Sequence, residues 1–166
     1  VCAMNFPLGV PMLERRLQPF VAEKSITLDA NNTTKSHDVF KITGSVRVLG
    51  LEGVVTTVLD SNVTAAHLRM DDGTNQVAVT LATGTTLSSA AIDSLITHDG
   101  DNTAAVTLTT SAQVRRVAGT FSEYILMAKN GTDSHLEFRY TTTNTPTSGV
   151  VKWTLIWVPL SDNGNV

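Results

Sequence analysis

Cysteine, charge and long apolar runs are all scarce in this chain, and each scarcity excludes something. Cys2 is the lone cysteine, so no disulfide can close within the chain and no cysteine-based zinc knot can be built. Charged residues fill 16% of the 166 positions, against the usual quarter or so. Solubility must therefore rest on Thr, Ser, Asn and Gln. The formal net charge is −3, and Arg15-Arg16 and Arg115-Arg116 are the only adjacent basic pairs. Two isolated pairs do not form the basic stripe that nucleic-acid binding requires. No segment approaches the ~18 consecutive apolar residues of a membrane span. Val1 to Val10 carries Asn5, Pro7 and Gly9 and lacks the basic start and apolar block of a secretory leader. Neither nucleic acid nor membrane is expected as a partner.

What is present is β-forming. Hydrophobic residues make up 42% of the chain, which places it among globular proteins. Thr is roughly one residue in seven, and a β-branched hydroxyl side chain suits a pleated, half-wet surface better than a helix. Short Val/Ile/Leu/Thr runs recur between Gly, Asn and Asp punctuation. Val46 to Leu59 is a long apolar run interrupted by Gly50 and Gly53, which predicts a bend or bulge in a buried central strand. Ala66, Leu68 and Met70 alternate with Ala65, His67 and Arg69, and the turn Asp71-Asp72-Gly73-Thr74-Asn75 predicts a hairpin with Val77, Val79 and Leu81 facing the core.

Asn130-Gly131 predicts a second hairpin, joining a strand over Phe121–Ala128 to one over Leu136–Thr142. In the latter, Leu136, Phe138 and Tyr140 face one way, and His135, Glu137 and Arg139 the other. Further strands are expected near Ala104–Leu108 and Val114–Ala118. Thr85–Thr97 fits either a helix capped by Ser88 or Ser89 or a strand. The closing run Val150–Leu160 is apolar on both faces and belongs in a central or covered position. Eight to ten strands without βαβ alternation predict an all-β fold: a two-sheet antiparallel β-sandwich, jelly-roll-like, with an immunoglobulin-like Greek key as the alternative.

Catalytic chemistry needs a nucleophile with its base, or a metal cage. The four histidines His37, His67, His98 and His135 fall in separate segments with no ligand-type partner at metal spacing. Asp71-Asp72-Gly73 and Asp99-Gly100-Asp101-Asn102 resemble fragments of calcium loops but lack the remaining ligands, and hairpin tips use the same residues for turn geometry. No nucleophile elbow, phosphate loop or dinucleotide fingerprint is present. No enzymatic activity, cofactor or metal is expected. Tyr124, Phe138, Tyr140, Trp153 and Trp157 could form a sugar-stacking platform, yet Trp153, Leu155 and Trp157 share one parity, as core residues do.

Residues 1–24 read as an N-terminal arm and 25–166 as the sandwich domain. Pro7, Pro11 and Pro19 keep the arm extended, and its apolar side chains call for something to bind it down. Leu8, Met12, Leu13, Arg15, Arg16 and Leu17 are the candidate partner-interface residues. Packing of the arm over an open end of its own sandwich is the alternative.

The segment Phe40-Lys41-Ile42-Thr43-Gly44-Ser45-Val46-Arg47-Val48-Leu49, its continuation Leu51-Glu52-Gly53-Val54-Val55-Thr56-Thr57, and the close Lys152-Trp153-Thr154-Leu155-Ile156-Trp157-Val158-Pro159-Leu160 resemble small virion proteins of tailed bacteriophages. Those proteins pair an FK-x-TG-x-VRVL-x-L-x-G-x-VTT opening with a KWTL-x-x-VPL close. The resemblance implies a structural role in the particle, and a small acidic, Cys-poor sandwich with an arm is similar to a capsid decoration or cement protein. It further implies synthesis in the host bacterial cytoplasm, residence on the capsid surface and the major capsid protein as partner. Self-association as a homotrimer is expected, with a two-fold dimer as the alternative. A tail- or fibre-associated protein is the second reading, and a carbohydrate-binding module the third.

Overall fold

The computed structural model describes residues 18–29, 33–59, 62–81, 84–110, 123–129, 134–142 and 149–166. Among them are ten strands and no helix: β1 (Phe20–Thr27), β2 (Thr34–Ile42), β3 (Ser45–Thr57), β4 (Val63–Asp71), β5 (Gln76–Ala78), β6 (Leu95–Thr97), β7 (Thr107–Thr109), β8 (Tyr124–Met127), β9 (Ser134–Thr142) and β10 (Val150–Pro159). All pairings are antiparallel. One sheet runs β1-β10-β3-β6-β7, with β8 also on β3; the other runs β2-β9-β4-β5. From β1 to β4, and again from β8 to β10, each successive strand changes sheet. The set β1-β10-β3-β8 therefore faces β2-β9-β4-β5, which is the strand order of a jelly roll. The pair β6–β7 is an addition on the far half of β3. The expected fold class is the observed one.

Strand β3 is the hub. It pairs with β10 along most of its length, with β8 over Ser45–Val48 and with β6 over Glu52–Val54. Its two glycines serve different ends. Opposite Gly50 the register slips, so that Ile156 pairs Gly50 while Trp157 pairs Val48, leaving Leu49 as the extra residue of a bulge. At Gly53 a Cβ would come within 2.9 Å of Val151 Cγ1 and 3.1 Å of the Trp153 ring, so the indole packs onto bare backbone.

The inward parity of β9 and β10 is as the alternation predicts. Leu136, Phe138, Tyr140, Trp153, Leu155 and Trp157 are all buried, and Phe138 stands 5.1 Å from Trp153 and 5.6 Å from Tyr140 between ring centroids. These aromatics join the two sheets and are not available as a sugar-stacking platform. Leu136 sits opposite Phe40 and Met70 and is fully enclosed. Leu136→Ala should therefore cost about 3 kcal/mol in chemical denaturation; a near-neutral result would contradict the strand parity.

Three expectations need correction, and one reading left open is resolved. Phe20 to Lys24 belong to the sheet, because β1 pairs with β10 from Phe20↔Trp157 onward and the two rings stack at 5.0 Å. Glu23, Lys24 and Ser25 hid the strand because it lies at a sheet edge. The hairpin after β4 exists, but β5 spans only three residues, and Val77 is 64% exposed and Leu81 also exposed. Val79 and Thr80 both donate their N–H to the Leu68 carbonyl, at 3.0 and 3.1 Å, which ends the alternation; of the three valine and leucine positions only Val79 is buried.

The strands flanking Asn130-Gly131 are not hairpin partners. β8 pairs with β3, whereas β9 lies between β2 and β4 in the opposite sheet; residues 130–133 themselves lie outside the described residues. Finally, Thr85–Thr97 contains no helix. Ser89 and Asp93 take left-handed φ values of 57° and 66°, and the Ser88 hydroxyl donates to the Val63 carbonyl instead of capping. Only Leu95–Thr97 of this stretch is strand, and the Val114–Ala118 segment lies outside the described residues.

Candidate functional site

The outward face of the four-stranded sheet holds the densest arrangement of polar side chains. Outward parity brings His135, Glu137, Arg139 and Thr141 of β9 alongside His67, Arg69 and Asp71 of β4. The register then sets Arg69 opposite Glu137, and Arg139 opposite both Ser36 and His67. Arg69 Nε donates to Glu137 Oε2 at 2.7 Å, and its Nη2 donates to Ser36 Oγ at 3.2 Å and to Asp71 Oδ2 at 3.5 Å. Nη1 donates to Gln76 Oε1, whose amide nitrogen donates in turn to Asp71 at 2.9 Å. One guanidinium thus ties together β2, β9, β4 and β5. It is buried, and a buried arginine is tolerable only with such a set of partners.

Arg139 is the contrast. It is half-buried on the same face, and its guanidinium makes no hydrogen bond or ion pair among the described residues. Beside it lies a concavity of about 420 Å³ with Ala65 and Ala78 among its lining and with walls from Arg139, His67, Arg69 and the Thr34/Thr141 pair. The alanines leave the space, since longer side chains surround them. Ala65 takes a left-handed φ of 50° at the register slip between Thr64 and His67. The His67 ring donates Nδ1–H to the Ala65 carbonyl at 2.9 Å, and its Nε2 has no partner among the described residues. Thr34 and Thr141 hydroxyls bond each other at 2.8 Å. Among the described residues no carboxylate lines the hollow.

The other histidines have structural roles. His98 is enclosed and its Nε2 lies 2.9 Å from the Asp101 carbonyl, which pins the turn it begins. In that turn Asp101 N–H donates to Asp99 Oδ1, and Thr103 donates both N–H and hydroxyl to Asp101 Oδ1. Those Thr103 hydrogen bonds, hydroxyl first, hold the Asp101 carboxyl below its ordinary range. Asp72 is held low likewise by the Asn75 and Thr74 amides. Both acidic turns spend their oxygens on turn geometry. Among the described residues no group of three or more His, Cys, Asp or Glu is placed to hold a metal ion. His67 and His135 share a face but stand opposite Arg139 and Asp71 respectively, not each other.

His37 closes the sandwich edge. Its Nε2 lies 3.0 Å from Asp29 Oδ1 and 3.2 Å from the Tyr140 hydroxyl, and its ring stacks on Tyr140. Burial pushes its pKa below the ordinary 6.5, more than the Asp29 carboxylate raises it. The neutral ring is therefore preferred in the fold. Its contribution is present above about pH 6.5 and lost as the pH falls, because the unfolded chain takes up the proton first. Asp29, held low first by its hydrogen bond from Lys35, adds its own loss only below the ordinary 3.8. Between about pH 7.5 and pH 5, the melting temperature of the wild type should fall more than that of His37→Gln. Parallel curves would show that His37 gains nothing from staying neutral.

Leu8, Met12, Leu13, Arg15, Arg16 and Leu17, the candidate interface residues of the arm, lie outside the described residues. The Arg69 network and the hollow beside Arg139 do not emerge from sequence reasoning, although the outward parity of both arginines does. No family model, curated protein or solved structure matches the chain.

Proposed function

We propose that this chain is a structural protein of a tailed-bacteriophage virion, a capsid decoration or cement protein that binds and stabilises the outer surface of the head. The observation that carries the reading is the placement of the two segments bearing the phage resemblance. They include β3 and β10, which pair with each other from Val150↔Thr57 to Pro159↔Val46. The likeness therefore covers the central pairing of one sheet, a single structural unit.

A second support is the outward face of that sheet. Val21, Ile125 and Met127 stand on it, each more than half exposed, and exposed apolar side chains grouped on one face favour a contact surface. Val21 of β1 follows closely in sequence on the apolar segment 1–17, whereas Phe20 turns inward onto Trp157. Adhesion then works by number. Each copy buries a modest patch on the major capsid protein, and a closed homotrimer multiplies it, with a dimer bridging a two-fold as the alternative.

The test uses particles that lack the protein. Purified wild type is expected to bind heads at a fixed stoichiometry and to raise the temperature at which they release DNA. The variant lacking residues 1–17 keeps β1 whole, so it is expected to melt within a few degrees of wild type yet fail to decorate. Labelling of tails instead of heads would overturn the head assignment in favour of a tail-associated role. Undiminished binding by the truncated chain would remove the arm from the interface.

A further inference from the structure

We propose that the hollow on the outward face of the four-stranded sheet is a binding site for a small polyhydroxylated carboxylate, of the uronic-acid class, with Arg139 as the carboxylate clamp. This site is on the opposite sheet from the apolar face and does not depend on the virion reading.

The two arginines define the charge. Arg69 is paired with both Glu137 and Asp71, so it forms a fixed wall whose guanidinium is already taken up by two carboxylates. Among the described residues Arg139 has no such partner and the lining holds no carboxylate. Arg139 is therefore the guanidinium of the lining left to meet a ligand carboxylate. A guanidinium presents paired N–H donors in a planar fork that fits a carboxylate at both oxygens.

The rest of the lining asks for more than a bare anion. A space of about 420 Å³ lies within the ~300–1,000 Å³ range of small-molecule sites. The Thr34 and Thr141 hydroxyls, bonded to each other, keep capacity for further partners, and His67 Nε2 has no partner among the described residues. These groups suit hydroxyls. The methyl groups of Ala65 and Ala78 offer an apolar surface for the C–H face of a ring. The hydrogen bonds of Arg69 to four strands hold the wall in place before any ligand arrives, which lowers the ordering cost of binding.

The experiment titrates the full chain with D-glucuronate and follows backbone amides and the His67 ring by NMR. D-Glucose and acetate serve as the neutral sugar and the bare carboxylate. Saturable shifts at Ala65, His67 and Ala78 are expected with D-glucuronate, with Kd on the order of 1 mM. D-Glucose and acetate are each expected to bind at least tenfold more weakly, and Arg139→Gln to weaken D-glucuronate at least tenfold. Ala78→Leu, on the exposed edge strand β5, fills the hollow and should abolish the shifts in a protein of unchanged melting temperature. The proposal is overturned by absence of saturable shifts, by equal binding of D-glucose, or by equal binding of acetate, which would mark a bare anion site. If Arg139→Gln fails to fold, Ala78→Leu decides: retained binding in that variant overturns the assignment.

Discussion

Trp153→Ala is expected to lower the unfolding free energy by about 3–5 kcal/mol, the largest loss from any single apolar truncation in this chain. The indole is 1% exposed at the middle of β10, against Phe138 of the opposite sheet and over the bare backbone of Gly53. Neighbours on both sides are held by antiparallel ladders, so the space cannot collapse, and the cost combines lost transfer energy with an unfilled cavity. Urea denaturation should show a lower midpoint with an unchanged slope. Trp153→Phe separates shape from chemistry. The indole Nε1 finds no acceptor among the described residues, so replacement by phenylalanine keeps the aromatic contact and removes an unsatisfied donor. That variant should lose about 1 kcal/mol. Equal losses for both substitutions would mean that the ring's packing against Phe138 carries little of the stability.

Parity was legible in the sequence; partnership was not. Along β9 and β10 one face meets the core, so a period of two is imposed by burial and reads directly from Leu136, Phe138 and Tyr140 or from Trp153, Leu155 and Trp157. Asn130-Gly131 carries only local turn information. It says that the chain reverses there, and nothing about which sheet receives the next strand; in a jelly roll that strand crosses to the other sheet. The 85–97 stretch was open between helix and strand for a related reason. Its apolar spacing suits a helix, but backbone hydrogen bonds tie it to β3, with Val55 N–H donating to Ser94 O and Asp93 N–H to Val55 O. Tertiary pairing overrode the local pattern.

The candidate site shows the same division. Arg69 and Arg139 both read as outward from sequence alone. Their different fates depend on register, which is set by slips between Asp38 and Phe40 in β2 and between Thr64 and His67 in β4. A bulge adds one residue and moves every later partner by one, and no composition or spacing announces where it falls. The hollow itself exists because two alanines come together from β4 and just past it in β5, residues too small to draw attention in a sequence.

Arg69→Ala is expected to cost about 3–5 kcal/mol, although it lies on the outward face of a sheet where substitutions are usually mild. The side chains of Arg69 and Glu137 are only 10% and 12% exposed, so removal of the cation leaves Glu137 and Asp71 as neighbouring, poorly hydrated negative charges. Gln76 loses its partner too, which loosens β5 at the sheet edge. Arg69→Lys should restore only part of the loss, because a single ammonium cannot reach Glu137, Ser36, Asp71 and Gln76 together. A cycle pairing Arg69→Ala with Glu137→Gln tests the account: the double variant is expected to be more stable than Arg69→Ala alone, since the stranded charge is gone. Strict additivity in the cycle would show that Arg69 contributes by packing of its stem and not by the four-strand network of its guanidinium.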